Sequence, residues 1–290
     1  MKPATRQAWL ALPLILAIGA AIAWAGSAGP PVALGLPLFA LCGLGAFVLN
    51  WIVFVHAFSA QTERYYDATG SLTYLTLTGV ALALGPRDPR ALLIGGCVML
   101  WALRLGTFLF RRISEDGGDG RFDAIKVDFA RFLMAWTLQG LWVFLTLACG
   151  LVAMTTAEPV ALGLPAVIGL GMWITGWSIE VIADQQKRVF RHDSANDGRF
   201  ITTGLWSWSQ HPNYFGEILL WAGIAVIALP TLQGTQLATL ISPVFVFVLL
   251  TRISGIPLLR ARSEKRWGDD PEFVAYRART SLLVPRPPRA

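Results

Sequence analysis

A cluster of polar side chains stands at the start of an apolar segment in the last third of the chain. It offers an imidazole, an amide, a phenol and a carboxylate within seven residues. Its members are His211, Asn213, Tyr214 and Glu217. Pro212 suits the first turn of a helix, and a helix N-terminus favours negatively charged groups. The run from Gly204 to Glu217 is therefore predicted to bind a ligand rather than only to begin a helix.

A second polar cluster precedes it, on a predicted helix that leaves the membrane. Four charged residues recur at i, i+4, i+8 and i+11, which is one face of a helix. They are Glu180, Asp184, Arg188 and Arg191, and Arg199 extends the basic set. Carboxylates in such a position bind ribose hydroxyls, whereas guanidinium groups bind phosphates. The alternative interpretation is a ladder of i,i+4 salt bridges at the end of a helix.

A third cluster lies directly before another apolar segment and contains Glu63, Tyr66 and Asp67. A carboxylic acid at the edge of an apolar compartment can have a raised pKa and donate a hydrogen bond to a ligand carbonyl. Tyrosine is also favoured at the headgroup level of a membrane. The residues alone leave a catalytic site and an interfacial belt equally open.

Two arginines belong to a further predicted span. Arg104 lies inside the apolar run of residues 91–110, where a cation needs a partner or a water-filled cavity, so it is predicted to be functional. Arg112 stands at the exit of that run, where an anchor at the membrane surface is the simpler interpretation. The polar loop that follows, residues 115–123, is predicted to be a solvated turn.

The elements that must position these side chains are apolar helices. Of the 290 residues, 54% are apolar and only 14% are charged, against about 25% charged in a typical soluble domain. Apolar segments occur at residues 9–25, 33–57, 69–85, 91–110, 132–154, 162–183, 216–230 and 236–252. The sequence therefore predicts an all-α fold, a polytopic integral membrane helical bundle of seven or eight transmembrane helices in one domain, residues 1–290.

The distribution of basic residues predicts the orientation of the chain. Residues 252–290 carry nine Lys and Arg against four Asp and Glu, and the loops between alternate spans hold most of the remaining cations. Under the positive-inside rule this places both termini on the cytoplasmic side of the lipid bilayer. The Pro-rich run from Pro285 is predicted to be a frayed tail.

Several functional classes are excluded by what the sequence lacks. It contains no GxGxxG, GxxxxGK[ST], GxSxG or HExxH motif, and its three His show no metal-ligand spacing. A catalytic metal is therefore not expected, and any nucleotide must be held outside a Rossmann fold. The net charge of +6 comes largely from the tail, without the aromatic-interleaved patch of a nucleic-acid interface, so no nucleic acid partner is expected.

The run from Gly204 to Glu217 resembles the signature of the steroid 5-alpha-reductase family and its bacterial relatives, and the resemblance extends from about Asp67 to Pro285. It implies NADPH-dependent reduction of the C4–C5 double bond of a 3-oxo-4-ene steroid within the membrane. About residues 1–131 would form the cavity for this lipophilic enone, and about residues 132–290 would bind NADPH. It further implies a bacterial inner membrane protein whose cofactor site faces the cytoplasm.

The resemblance also implies roles for individual residues. Asp67 and Tyr66, with Glu63 as a near alternative, would polarise the substrate carbonyl while hydride passes to C5. The implied cofactor contacts are Arg104, Arg112, Asp184, Arg188, Arg191, Arg199, His211, Asn213, Tyr214, Glu217 and Tyr276. The chain departs from the family pattern at Glu180 and Gln210, where relatives tend to carry Asn and Arg.

Two other functions remain open. Membrane methyltransferases of the isoprenylcysteine carboxyl methyltransferase type share a looser His-Pro-x-Tyr-x-Gly core with a basic, aromatic tail, and they use S-adenosylmethionine. The carboxylates and arginines of residues 180–199 favour a phosphorylated dinucleotide over that cofactor. A transporter or lipid-binding module fits less well, because the polar residues gather at one face of the membrane instead of marking a path through its midplane. No obligate protein partner is predicted.

Overall fold

The computed structural model describes residues 2–27, 29, 31–116, 119–158 and 160–288, and of residues 112–116 it describes only the backbone. Ten α-helices form this part of the chain. They are α1 (Pro3–Gly26), α2 (Leu38–Ser59), α3 (Tyr66–Leu84), α4 (Pro89–Asp116), α5 (Phe129–Thr155), α6 (Leu164–His192), α7 (Pro212–Ala228), α8 (Ile241–Val248), α9 (Ile256–Trp267) and α10 (Pro271–Arg279). A short hairpin, β1 (Val32–Ala33) with β2 (Leu36–Pro37), precedes α2, so the predicted segment 33–57 becomes helical only from Leu38.

Seven helical segments within these described residues are long and apolar enough to cross a membrane. They are Pro3–Gly26, Leu38–Ser59, Pro89–Arg111, Phe129–Thr155, Leu164–His192, Pro212–Thr231 and Gly234–Trp267. The prediction of an all-α polytopic fold is confirmed, and the chain is a multi-pass membrane protein. The α3 helix, with 19 residues, has the length of a span, but Thr, Ser and Tyr side chains interrupt its apolar surface and it is not one of the seven.

The chain forms two compact units, and the first contains residues 1–166 and 227–242. Its central helix is α5, in which every residue from Val143 to Thr155 is buried. The helices α1, α2, α3 and α4 all contact α5. A helix that is apolar on every side needs neighbours on every side, and these four helices provide them.

Arg90, near the start of α4, joins two segments of the first unit. Its side chain is almost fully buried, and its guanidinium donates to the carbonyl oxygen of Ala161 at 2.7 Å and to that of Ile227. Ile227 lies in the last turn of α7, where carbonyl groups lack partners within the helix. This buried cation therefore acts as a clamp, and its charge is compensated by carbonyl dipoles.

The second unit contains residues 167–226 and 243–290, and within it α6 packs against α7 through glycines. A Cβ atom on Gly176 would lie 2.5 Å from the Gly216 carbonyl oxygen, and one on Gly223 would lie 2.5 Å from the Gly169 carbonyl oxygen. We call these four residues the glycine stripe. Each helix places its two glycines seven residues apart, so they share one face, and small residues let transmembrane backbones approach closely. The stripe fixes the register of α6 against α7.

The C-terminal segment pairs with the residues just before α7. The Gln210 backbone N–H donates to the Ser281 carbonyl at 2.8 Å, and the Arg286 N–H donates to the Trp208 carbonyl at 3.0 Å. The prediction of a frayed tail from Pro285 is therefore wrong at Arg286. The segment is ordered because it forms backbone hydrogen bonds with the loop that leads into α7.

Candidate cofactor-binding site

A cavity of about 290 Å³ lies in the second unit, lined by the end of α6, the loop before α7, and the helices α9 and α10. Seven cationic side chains line it. They are Lys187, Arg191, Arg199, Arg260, Arg262, Arg266 and Arg277. No Asp or Glu is among the described residues that line this cavity. A site of this charge suits a ligand that carries several negative charges.

Aromatic rings form much of the remaining wall. They are Phe190, Phe200, Trp206, Trp267, Phe273 and Tyr276. The ring centroids of Phe200 and Phe273 are 5.0 Å apart, and those of Phe200 and Trp267 are 5.7 Å apart. The Trp267 indole N–H donates to the Gly198 carbonyl at 2.6 Å, which fixes the turn that carries Arg199. Such ring faces can accept a stacked nucleotide base.

Trp206 connects three elements of this wall. Its indole N–H donates to the Ala183 carbonyl of α6 at 3.0 Å, and its own carbonyl accepts from the Tyr276 hydroxyl at 2.7 Å. The Lys187 ammonium lies 4.4 Å from its ring centroid, a cation–π contact. The turn that carries Trp206 begins at Gly204, whose φ of 61° is a conformation that glycine adopts without strain.

His211 also lines the cavity, and its ring stacks on that of Tyr214. The two centroids are 5.6 Å apart and the rings are inclined by 12°. Burial, aided by the charge of Lys187, lowers the pKa of His211 to about 4. The imidazole is therefore neutral at pH 7 and has one hydrogen-bond donor and one acceptor.

Two further predicted cofactor residues are joined across α6 and α7. The Asn213 amide donates to the Asp184 carboxylate at 3.2 Å. The Asp184 side chain is buried, as is that of Glu180 one turn before it on α6. Buried carboxylates require hydrogen-bond partners, and the α6–α7 packing brings one to Asp184.

The structure divides the predicted cofactor residues of the second unit into two groups. Those that line the cavity are Arg191, Arg199, His211 and Tyr276. Those that belong to the same unit but do not line the described cavity are Asp184, Arg188, Asn213, Tyr214 and Glu217.

Sequence reasoning missed the cations that α9 contributes, Arg260 and Arg262 above all. A signal was present, because Arg262 and Arg266 are four residues apart and share one helical face. The positive-inside rule accounts for basic residues after a last span equally well, and it concealed that signal.

The predicted acidic cluster lies in the first unit, around the start of α3. The Glu63 carboxylate is buried, accepts from the Asp119 backbone N–H at 3.0 Å and pairs with the Lys126 ammonium at 3.0 Å. Burial opposes the ionisation of Glu63, but these two hydrogen bonds outweigh it and lower its pKa. Glu63 is therefore ionised at neutral pH, which suits an anchor for the loop better than a proton donor.

The described part of the loop at 115–123 is exposed at Gly120, Arg121 and Asp123, as predicted for a solvated turn, but it is anchored at Phe122. Phe122 is buried, and its ring centroid lies 4.7 Å from that of Tyr66. It joins an apolar cluster with Phe132 and Trp136 of α5. Phe122 therefore attaches this otherwise polar loop to α5. The polar composition of the loop did not indicate that contact.

Tyr66 and Asp67 occupy the first turn of α3. The Tyr66 hydroxyl donates to the Ala135 carbonyl of α5 at 3.0 Å. Asp67 is half-buried. Burial lowers the pKa of the nearby Arg121, but its hydrogen bond with Asp119 and the charge of Asp67 outweigh this and raise it.

The two arginines of the predicted fourth span both lie on α4 in the first unit. Arg104 is half-buried, and its guanidinium lies 5.4 Å from the Phe108 ring centroid. The side chain of Arg112 lies outside the described residues. Nowhere in the described residues do three His, Cys, Asp or Glu side chains come together to hold a metal ion.

The family described as "Protein of unknown function (DUF1295)" matches residues 53–280, and the chain belongs to this family. A relative from Macaca fascicularis named 3-oxo-5-alpha-steroid 4-dehydrogenase 1 is 30% identical over 118 residues, which is 41% of this chain and 40% of the relative. The Homo sapiens protein of the same name is 31% identical over 100 residues, 34% of each chain. These matches confirm the predicted resemblance to the steroid 5-alpha-reductase family.

A further relative, an uncharacterized protein of Schizosaccharomyces pombe, is 25% identical over 190 residues, 56% of this chain and 55% of the relative. The chain spans 40% or less of the length of the two steroid dehydrogenases above. No solved structure matches the chain significantly.

Proposed function

We propose that the protein is an NADPH-dependent membrane reductase that reduces the C4–C5 double bond of a 3-oxo-4-ene steroid or a similar lipophilic enone. The observation that carries this proposal is the cationic, aromatic-walled cavity of the second unit, in a chain related to proteins named as steroid dehydrogenases. The proposed location is a bacterial inner membrane, with the cofactor site on the cytoplasmic side.

The residues of the cavity fit a phosphorylated dinucleotide. Guanidinium groups bind phosphate oxygens in pairs, and Arg199 and Arg262 have no carboxylate within ion-pair distance in the described part of the chain. The aromatic wall offers faces for the adenine or nicotinamide ring. At about 290 Å³ the cavity is at the small end of ligand pockets, so it would enclose part of a dinucleotide rather than all of it.

The remaining predicted cofactor residues would support that site. Asp184, held by Asn213, would accept hydrogen bonds from ribose hydroxyls, and neutral His211 would bind an amide or a hydroxyl. When bound, NADPH supplies the hydride that is added to C5 of the substrate.

The substrate carbonyl needs a donor at its oxygen, where negative charge develops during the reaction. Of the three candidates, Glu63 is ionised in its ion pair with Lys126, whereas Tyr66 and Asp67 lie in the first turn of α3. We propose Asp67 as the group that polarises the carbonyl, as the resemblance to the steroid 5-alpha-reductase family implies. The proton for C4 would come from a nearby acid or from water.

The test is NADPH binding and oxidation by the detergent-solubilised protein, with and without progesterone or testosterone. We expect steroid-dependent oxidation and a 5-alpha-reduced product. Arg199→Gln and Arg262→Gln should each weaken NADPH binding about tenfold or more, because a hydrogen bond to a charged group contributes about 1.5–3 kcal/mol. Arg252→Gln is the matched control, since Arg252 is exposed and lies outside the cavity lining.

The outcomes separate the alternatives. Tight NADPH binding without steroid reduction would retain a reductase and reject the steroid. An absence of NADPH binding together with binding of S-adenosylmethionine would reject the proposal in favour of a methyltransferase.

A further inference from the structure

A second cleft, of about 690 Å³, lies in the same unit between α9, α10 and the C-terminal segment. Four arginines and one glutamate line it. They are Arg260, Arg277, Arg279, Arg286 and Glu264. The Arg277 guanidinium forms an ion pair with Glu264, so that carboxylate compensates only one of the four cations. Within the described residues, the guanidinium groups of Arg260, Arg279 and Arg286 have no carboxylate within ion-pair distance.

Two arginines of the second cleft do not belong to the proposed dinucleotide site. Arg279 and Arg286 line the second cleft and not the described 290 Å³ cavity. Seven cations line that cavity, and of these Arg260 and Arg277 also line the second cleft. Arg279 and Arg286 are therefore positive charges of the second cleft that the proposed cofactor leaves unexplained.

The same cleft presents apolar side chains to its opening. Val274 is 53% exposed and Leu282 is 44% exposed, and both line the cleft beside the arginines. A small inorganic anion would gain nothing from exposed aliphatic groups. A ligand that joins a phosphate to a glycerol and acyl chains would contact both kinds of side chain.

The position of the cleft along the chain indicates a membrane surface. The last segment long enough to span a membrane ends at Trp267, and α10 begins at Pro271, four residues later. Basic side chains immediately beyond a membrane span are attracted to anionic lipids, and this attraction declines within a Debye length.

We propose that this cleft binds the phosphate of an anionic phospholipid, with Arg279 and Arg286 as the guanidinium groups that distinguish it from the cofactor site. Arg260 would contribute to the same headgroup contact. A phosphate diester fits guanidinium groups through paired N–H···O bonds, and Val274 and Leu282 would contact the glycerol and the upper acyl chain.

The experiment compares the thermal stability of the purified protein in nanodiscs of phosphatidylcholine alone and of phosphatidylcholine with phosphatidylglycerol. We expect the anionic lipid to raise Tm of the native chain, and Arg279→Gln/Arg286→Gln to lose most of that increase. Ala278→Glu is a second variant, because it places a carboxylate at an exposed position in the cleft lining. The matched control is Arg252→Gln/Lys265→Gln, which removes two exposed cations that line neither cavity.

Two results would overturn the proposal. The first is an equal increase of Tm with both lipid compositions, or an increase that the cleft variants retain in full. The second is that inorganic phosphate added to phosphatidylcholine nanodiscs raises Tm as much as phosphatidylglycerol does. That result would assign the cleft to a free anion. NADPH affinity, measured on the same samples, should stay within about twofold of native in the cleft variants. The lipid site and the cofactor site can therefore fail independently.

Discussion

Gly216 of α7 lies directly against Gly176 of α6, so closely that a Cβ atom on Gly216 would be 2.5 Å from the Gly176 carbonyl oxygen. This backbone contact sets the register of the two helices. It thereby places Asn213, which lies one turn before Gly216 on α7, beside Asp184 of α6. The polar contact between Asn213 and Asp184 therefore depends on a close backbone contact inside the span.

Gly216→Ala should separate the two helices and weaken NADPH binding. A Cβ at 2.5 Å from a backbone oxygen cannot be accommodated by a side-chain rotation, and overpacking of this kind costs about 1–3 kcal/mol. We expect a lower Tm in detergent and at least a tenfold loss of NADPH affinity, measured by thermal unfolding and by titration.

Gly171→Ala is the matched control, because it lies on the exposed face of α6 and a Cβ there would meet nothing within 4 Å. Both variants add one methyl group to a transmembrane helix. Equal behaviour of the two would show that the close backbone contact is not what holds the site.

The hydrogen bond from Asn213 to Asp184 should be lost in a single substitution and restored when the amide and the carboxylate change places. Asn213→Asp alone places a second carboxylate beside Asp184, and two like charges at about 3 Å in a buried site are unfavourable. We expect this variant to lose stability and to bind NADPH at least tenfold more weakly.

Asp184→Asn/Asn213→Asp restores one donor and one acceptor in the reverse order. The double variant should therefore be more stable than Asn213→Asp, and a double-mutant cycle on Tm measures the coupling. Additive losses in the double variant would show that the 3.2 Å contact contributes no coupling energy.

The low pKa of His211 predicts a pH dependence of stability. Its pKa is about 4 in the folded protein and about 6.5 as the ordinary value, so between these limits the unfolded chain binds more protons at this position. Stability should therefore fall as pH falls from 6.5 toward 4, by on the order of 3 kcal/mol near the lower limit.

His211→Gln removes this titration and keeps a polar side chain. The Tm of the variant should decline less than that of the native protein between pH 7 and pH 4.5, with the difference confined to values below 6.5. His192→Gln is the control, because His192 is exposed on the same unit. Parallel Tm profiles for native protein and His211→Gln would contradict the assignment of a neutral, half-buried imidazole.

Local sequence patterns predicted the parts of the structure that depend on neighbours along the chain. The start of α7 at Pro212 follows from proline and the polar turn after it, and the position of Asp184 on α6 follows from helical periodicity. Asp184 and Asn213, both implied as cofactor contacts, lie in the second unit and are joined by a hydrogen bond.

The contacts that sequence analysis missed join residues far apart in the chain. Glu63 meets Lys126 across 63 positions, and Gln210 meets the Thr280 carbonyl across 70. The glycine stripe was hidden because glycine is common in transmembrane helices for several reasons. In each case the residue type was visible but its partner was set by tertiary packing.

Glu63 and Asp67 should respond differently to loss of charge. Glu63→Gln removes the ion pair with Lys126, and we expect a loss of about 1–2 kcal/mol of stability at pH 7 with a modest effect on kcat. Asp67→Asn should instead lower kcat about a hundredfold or more, with Tm and NADPH affinity close to native, because a group that stabilises the charge developing on the carbonyl oxygen typically contributes that much.

The pH dependence checks the assignment of Glu63 independently. Because its pKa is lowered in the folded protein, its contribution is fully present above the ordinary value of 4.5 and is lost as pH falls through the folded value. The Tm of Glu63→Gln should therefore approach that of the native chain in acid. Asp123→Asn, which removes the exposed second partner of Lys126, is the control and should change Tm little. If Glu63→Gln abolished turnover at unchanged Tm, Glu63 and not Asp67 would be the residue that acts on the substrate.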